Sequence, residues 1–286
     1  MTEQTKSIDT LIEDIYSVFT DGYSKSQDNE QMIDAFGDAM KELMRSRLTP
    51  RKSSGGTLRL SAIGKPARQL WYDSRGIPKP DFTGDQLLKF FYGDVIEEVL
   101  LTLAKLSGHS VTNEQQKVVV AGITGHMDAV IDGHVIDVKS ASATAFKKFD
   151  KGSLLFDDPF GYMNQIAAYS EAVDNKGSGF LAMNKVDGKL TLFQPDPQYL
   201  PDTQERVDYL KEALASDTPP DRCYEEVEEA NGNKKLPMGC AFCSFKKECW
   251  KDANNGAGLR GFGYSFGNVY YSEVVKQPRV GEIEVE

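Results

Sequence analysis

The sequence has no uninterrupted apolar stretch long enough to cross a bilayer, which argues against a helical membrane protein. Its opening residues, MTEQTKSIDTLIED, are polar and acidic and unlike a secretory leader, so the expectation is a cytoplasmic chain. Histidine is scarce: the three, at 109, 126 and 134, have no metalloprotease spacing. There is no Gly-x-Ser-x-Gly elbow and no internal repeat. Gly64-Lys65 is followed by Pro66 and lacks the earlier glycine that a phosphate-binding loop needs. Cysteine is sparse as well, and all four residues (Cys223, Cys240, Cys243 and Cys249) fall in one short segment. In an intracellular protein such clustering favours metal ligation over disulfides, and thiolates accept either Zn²⁺ or an iron–sulfur cluster.

Net positive charge is also missing. With 33 basic and 43 acidic residues the formal net charge is −10, which at first argues against a nucleic-acid partner. The distribution is uneven, however. Between Arg45 and Pro80 stand Arg45, Arg47, Arg51, Lys52, Arg59, Lys65, Arg68, Arg75 and Lys79, against a single acid, Asp73. A local basic stretch of this kind can bind phosphates while acidic flanks keep the chain soluble.

Against these absences, the chain is 40% hydrophobic over 286 residues, enough for a sizeable core. Helical spacing of apolar residues predicts helices over 7–19, 29–48, 83–107, 158–173 and 201–215. Strands are expected at 115–121, 123–131 and 134–139, and on both sides of Asp187-Gly188. This order implies an α/β fold with a mixed central sheet flanked by helices.

The stretch GHMDAVIDGHVIDVKS (125–140) sets three aspartates and a lysine in an apolar, strand-like run. Asp132-Gly133 is a favoured two-residue hairpin turn. Pairing outward from it opposes Asp128 to Asp137 and His126 to Lys139, all on one face, with Met127, Ala129, Ile136 and Val138 on the other. Directly opposed strand residues have Cβ atoms about 4.5–5.5 Å apart, where like charges are destabilising. A divalent cation reverses the sign of that interaction, since Mg²⁺ is held by one or two carboxylates together with waters and phosphate oxygens. With Lys139 close by, this is the set of groups that metal-assisted phosphodiester hydrolysis requires.

Asp128 followed by Asp137-Val138-Lys139 resembles the PD-(D/E)XK nuclease signature, and the whole hairpin resembles its RecB-like branch. Three further stretches strengthen the resemblance over roughly residues 58–250. FYGDVIEEVL resembles the helix that supplies an additional ligand, with Glu97 at the expected position and Glu98 as the alternative. YMNQIAAYS resembles the Gln-x-x-x-Tyr motif through Gln165 and Tyr169. CAFCSFKKECW matches the C-x₂-C-x₅-C pattern of relatives that hold a [4Fe–4S] cluster. The upstream cysteine of those relatives is replaced here by Pro66 or Ala67, within a matching stretch that includes Arg68, Leu70, Trp71 and Tyr72.

The resemblance implies a DNA exonuclease acting on single- or double-stranded DNA from its ends. A phage-encoded enzyme of recombination or host-DNA breakdown, working in the host cytoplasm, is the type it suggests. It implies Mg²⁺ or Mn²⁺ held by Glu97, Asp128, Asp137 and the Val138 carbonyl, with Lys139 activating water. Gln165 and Tyr169 would orient the strand, and Arg68 would grip its backbone. Cys223, Cys240, Cys243 and Cys249 would hold the cluster or, alternatively, zinc. The expected divisions are a helical N-terminal extension and linker (1–57), a nuclease core (58–217), a cysteine segment (218–250) and a flexible Gly/aromatic tail (251–286). A sequence- or structure-specific endonuclease and a non-catalytic DNA-binding protein are the rival readings. Nothing in the sequence indicates an oligomeric state.

Overall fold

The computed structural model describes residues 6–49 and 56–285. Arg51 and Lys52 of the basic stretch therefore lie outside the described residues. Four helices come first: α1 (Leu11–Thr20), α2 (Gln27–Leu48), α3 (Ala67–Ser74) and α4 (Gly84–Leu106). Five strands follow, β1 (Val111–Thr112), β2 (Gln116–Val120), β3 (Ile123–Met127), β4 (Ala129–Ile131) and β5 (His134–Ala141). Helices α5 (Ala143–Asp150) and α6 (Tyr162–Glu171) lead to β6 (Gly177–Asn184), β7 (Leu190–Phe193) and α7 (Thr203–Ala215). The remainder comprises β8 (Val227–Glu228), β9 (Lys234–Lys235), the short helices α8 (Met238–Ala241) and α9 (Lys246–Cys249), then β10 (Arg260–Tyr264), β11 (Gly267–Glu273) and β12 (Glu282–Ile283). These elements form two compact units. The first contains α1, α2, Leu58–Gly64 and Phe82–Val207; the second contains Lys65–Asp81 and Asp208–Glu286.

The first unit is built on a five-stranded sheet in the order β1-β4-β5-β6-β7. Strands β5 and β6 are parallel and the other pairs antiparallel, so the sheet is mixed and flanked by helices, as the sequence predicts. Alternation along the strands divides its side chains between two faces. Ala129, Ile131, Ile136, Val138 and Leu181 pack with Leu11 and Ile15 of α1 and Ile96, Leu100, Leu101 and Ala104 of α4. On the other face Phe180 meets Phe149 of α5 and Tyr162 of α6. Helix α4 starts at Thr83, whose N–H donates to the Gln86 side chain at 3.0 Å, one half of a capping box.

The hairpin turns at Asp132 (φ 51°) and Gly133 (φ 88°), and its pairs Ala129–Ile136, Val130–Val135 and Ile131–His134 have the register expected from the turn. The strand expected over 123–131 is broken at Asp128. Its first half, β3, leaves the main sheet and pairs with β2 instead, which places His126 opposite Lys117 and not Lys139. Helices α3 and α5 were not anticipated. Both are eight residues long, two turns that offer few repeats of the apolar spacing; α5 is held by Ser142, whose hydroxyl accepts from the Ala145 N–H.

The second unit corrects the expectation of a flexible tail. Strands β10, β11 and β12 join β9 and β8 in an antiparallel sheet in the order β12-β10-β11-β9-β8. Phe262 and Tyr271 are buried and meet edge to face. Three of the glycines that gave this segment its loop-like composition, Gly261, Gly263 and Gly267, are strand residues, and Gly261 sits so close to Ile283 that a Cβ there would come within 2.9 Å of it.

Candidate active site

Three elements of the first unit bring the expected carboxylates and lysine together. Strand β5 supplies Asp137 and Lys139, the break between β3 and β4 supplies Asp128, and α4 supplies Glu97. Asp137 is 1% exposed, and its carboxylate forms an ion pair with Lys139. The Asp128 carboxylate accepts from the Val138 N–H at 2.8 Å, so leaving the ladder lets this side chain bind the neighbouring strand's backbone. The Glu97 carboxylate accepts from Gln115 Nε2 at 2.5 Å, and the Gln115 N–H donates to the Asp128 carbonyl at 3.0 Å. Gln115, absent from the sequence reading, thus ties two of the acids together. Glu98 faces Lys105 and Glu114, not Asp137.

The electrostatics follow from crowding like charges where water is scarce. Burial first, and then Asp137 and Asp94, push the Glu97 carboxyl up to about 7. Burial, followed by Asp137 and Glu97, holds Asp128 well above the usual carboxylate range. Burial works against the Lys139 ammonium, but Asp137 and Asp128 overcome it and keep the lysine charged.

Helix α6 covers the site. Gln165 Nε2 donates to Asp137 at 3.0 Å and lies 3.5 Å from the Tyr169 hydroxyl. Tyr169, expected to orient the strand, is 1% exposed. It is a packed support for Gln165, and burial raises its phenol to about 12. Gly125, the glycine of the GHMD stretch, makes room for that ring: a Cβ there would come within 3.0 Å of Tyr169 and 2.7 Å of Leu60. Tyr162 also belongs to the site, its ring 4.9 Å from Lys139 Nζ. Its place three residues before Gln165 and seven before Tyr169 puts it on the same helix face, the signal that could have found it.

In the second unit all four cysteines line one cavity together with Pro66, Arg68 and Tyr72. Arg68, expected on the DNA backbone, is committed to this cavity. Its Nε donates to Cys249 Sγ at 3.1 Å, its Nη1 donates to the Pro220 carbonyl, and the guanidinium lies over the Tyr72 ring. Burial raises the Cys240 thiol to about 12 and moves Cys223 and Cys243 in the same direction, with Cys249 adding to each shift. Other described members of the basic stretch are also engaged. Arg47 pairs with Asp94, Arg45 with Glu42, Lys79 with Asp73, and Arg75 lies over Trp71.

Among the described residues, no three His, Cys, Asp or Glu side chains converge on a ready metal cage. The reason is visible at each donor: Glu97 turns to Gln115, Asp128 to the Val138 N–H and Asp137 to Lys139. The donors nevertheless suit a hard divalent cation, being mutually repelling oxygens in a desolvated place, where burial raises the Glu97 and Asp128 carboxyls. The cysteines are soft donors gathered in one place, with Cys249 and Cys243 accepting from Arg68 and from the Phe245 N–H.

No protein-family profile matches the chain, and no curated protein matches it. Among solved structures it is similar to the crystal structure of SSO0001, at 16% identity and a TM-score of 0.42, covering 75% of this chain and 94% of that one. It is also similar to the crystal structure of an alkaline exonuclease (LHK-Exo) from Laribacter hongkongensis, at 14% identity and a TM-score of 0.38, covering 61% of this chain and 92% of that one.

Proposed function

We propose that the chain is a metal-dependent deoxyribonuclease that hydrolyses phosphodiester bonds from DNA ends. The observation that carries this reading is the gathering of Asp128, Asp137 and Lys139, with Glu97 linked to Asp128 through Gln115, on and beside the central strand β5 under Gln165. A binding protein gains nothing from repelling carboxylates placed against a lysine, whereas hydrolysis of a phosphodiester uses both. Glu97, Asp128 and Asp137, with the Val138 carbonyl, would hold Mg²⁺ or Mn²⁺. The cation, when bound, supplies charge for the phosphate oxygens and lowers the pKa of water. Lys139 orients the attacking water and offsets charge on the phosphate; Gln165 fixes the Asp137 carboxylate, and Tyr169 fixes Gln165. Cys223, Cys240, Cys243 and Cys249 would hold a [4Fe–4S] cluster or zinc, a structural centre in the second unit. Phage recombination or breakdown of host DNA in the host cytoplasm is the biological setting that fits such an enzyme.

The test is digestion of end-labelled linear DNA, single- and double-stranded, with Mg²⁺ or Mn²⁺ against chelator. Mononucleotides or short oligonucleotides released from one end are expected. Discrete bands from circular plasmid would make it an endonuclease, and binding without cleavage would make it a DNA-binding protein.

A further inference from the structure

The loop between α5 and α6 holds two phenylalanines in solvent, Phe156 at 90% and Phe160 at 54% exposure. The loop is tied at three points. Lys148 of α5 pairs with the Asp157 carboxylate at 2.7 Å and donates to the Asp157 carbonyl at 3.2 Å. The Asp158 carboxylate accepts from the Met163 N–H at 2.8 Å. Gly161, at φ 74°, lies against Gly64 so closely that a Cβ on it would come within 2.2 Å of the Gly64 backbone. The loop is thus firmly anchored and still leaves apolar rings in water.

The rings are also aligned. Phe149, buried in the core, stacks on Tyr162 with centroids 6.0 Å apart and planes inclined by 29°. Phe160 lies on Tyr162 in turn, at 5.6 Å and 32°. The middle ring is the one that lies 4.9 Å from Lys139 Nζ. An aromatic ladder therefore runs from the core past the lysine and ends at Phe160 in solvent, two ring contacts from the ammonium. The nearby charges largely cancel, Asp157 being paired with Lys148 and Asp137 with Lys139, so charge attraction to phosphate is a weak source of affinity here. Stacking of a neutral base is not.

We propose that Phe160 is the stacking platform for an unpaired nucleobase of the strand whose phosphate is cut at Lys139. This rests on the nuclease reading and adds a substrate class to it: DNA ends whose terminal bases are unpaired. Inside a duplex both faces of an interior base are taken by its neighbours, whereas a single-stranded or frayed end frees a base to turn onto Phe160.

The experiment uses the full chain and end-labelled single-stranded DNA carrying one abasic residue, moved stepwise inward from the end. With the unsubstituted protein, one position should raise KM about tenfold, the scale of one lost base–aromatic stack. Phe160→Ala should raise KM on intact DNA by a similar factor with little change in kcat, and should abolish the penalty at that position; Phe160→Trp should restore both. An unchanged KM in Phe160→Ala, or an abasic penalty that persists in it, overturns the inference. If no DNA is cleaved at all, the nuclease reading falls, and a binding measurement still decides the stacking. For that, 2-aminopurine replaces the base at each position in turn. Fluorescence quenched on binding by the unsubstituted protein and regained with Phe160→Ala supports the platform; quenching that survives in Phe160→Ala, or is absent at every position, overturns it.

Discussion

Lys139 has two partners to satisfy. It offsets the buried Asp137 carboxylate in the resting site and would act on the phosphate during hydrolysis. Lys139→Ala is therefore expected to lower cleavage by about 10²–10³-fold, measured as release of end label, while DNA affinity by fluorescence anisotropy stays near that of the parent. Because Asp137 is then left buried without its counter-charge, the variant should also melt earlier in chelator, and Mn²⁺ should restore part of the difference. Glu97 yields a pH prediction of definite sign. Its carboxyl is raised in the fold from the ordinary 4.5 to about 7, so the native state binds the proton more tightly than the unfolded chain. The resulting stability is fully present below about pH 4.5 and is lost as pH rises through about 7; Asp128 acts in the same direction. In chelator the melting temperature should fall between mildly acidic and mildly alkaline buffer. Mg²⁺ or Mn²⁺ should reverse that fall on the alkaline side, with proton release on binding visible by calorimetry in two buffers.

Helix α6 depends on elements remote in sequence for its position. It carries Tyr162, Gln165 and Tyr169 over the strand that bears Asp137, and its first residue follows Gly161, which is pressed on Gly64. A methyl group at 161 would meet backbone, which cannot yield as a side-chain end can, and φ there is positive. Gly161→Ala should cost about 1–3 kcal/mol in urea unfolding, and it should lower kcat more than DNA affinity because Gln165 shifts against Asp137. Gly125 makes the same demand from below, where the Tyr169 ring occupies the space a side chain would need.

Over the whole molecule the chemistry divides by unit, with hard oxygen donors in the first and the four thiols in the second. Loss of a thiol should therefore act through stability. Cys223→Ser is expected to lower the metal content of anaerobically purified protein, and its melting temperature with it. Activity per correctly folded molecule should be retained. Iron with visible absorbance identifies a cluster, and zinc without absorbance a tetrahedral site. Full metal occupancy in the variant would place the fourth ligand elsewhere.

The grouping of Asp128, Asp137 and Lys139 was legible because they lie within one hairpin around a two-residue turn, although the ladder ends at Ala129–Ile136 and Asp128 meets the Val138 N–H instead of facing Asp137 in a strand pair. The mixed sheet and the longer helices were legible for the same reason: their apolar spacing is a local property of the chain. The strand break at Asp128, the burial of Tyr169, the turning of Arg68 towards Cys249 and the folding of the Gly-rich tail were decided only by tertiary structure. Each depends on a partner far away in sequence: β2 claims β3, Gly125 admits the Tyr169 ring, a thiol draws in a guanidinium, and β9 supplies the edge on which β11 pairs. The sequence by itself determined which reactive groups share a strand. Which of them point inward, and which charges are already compensated, came from long-range packing, because burial and desolvation belong to the assembled core and not to any local stretch.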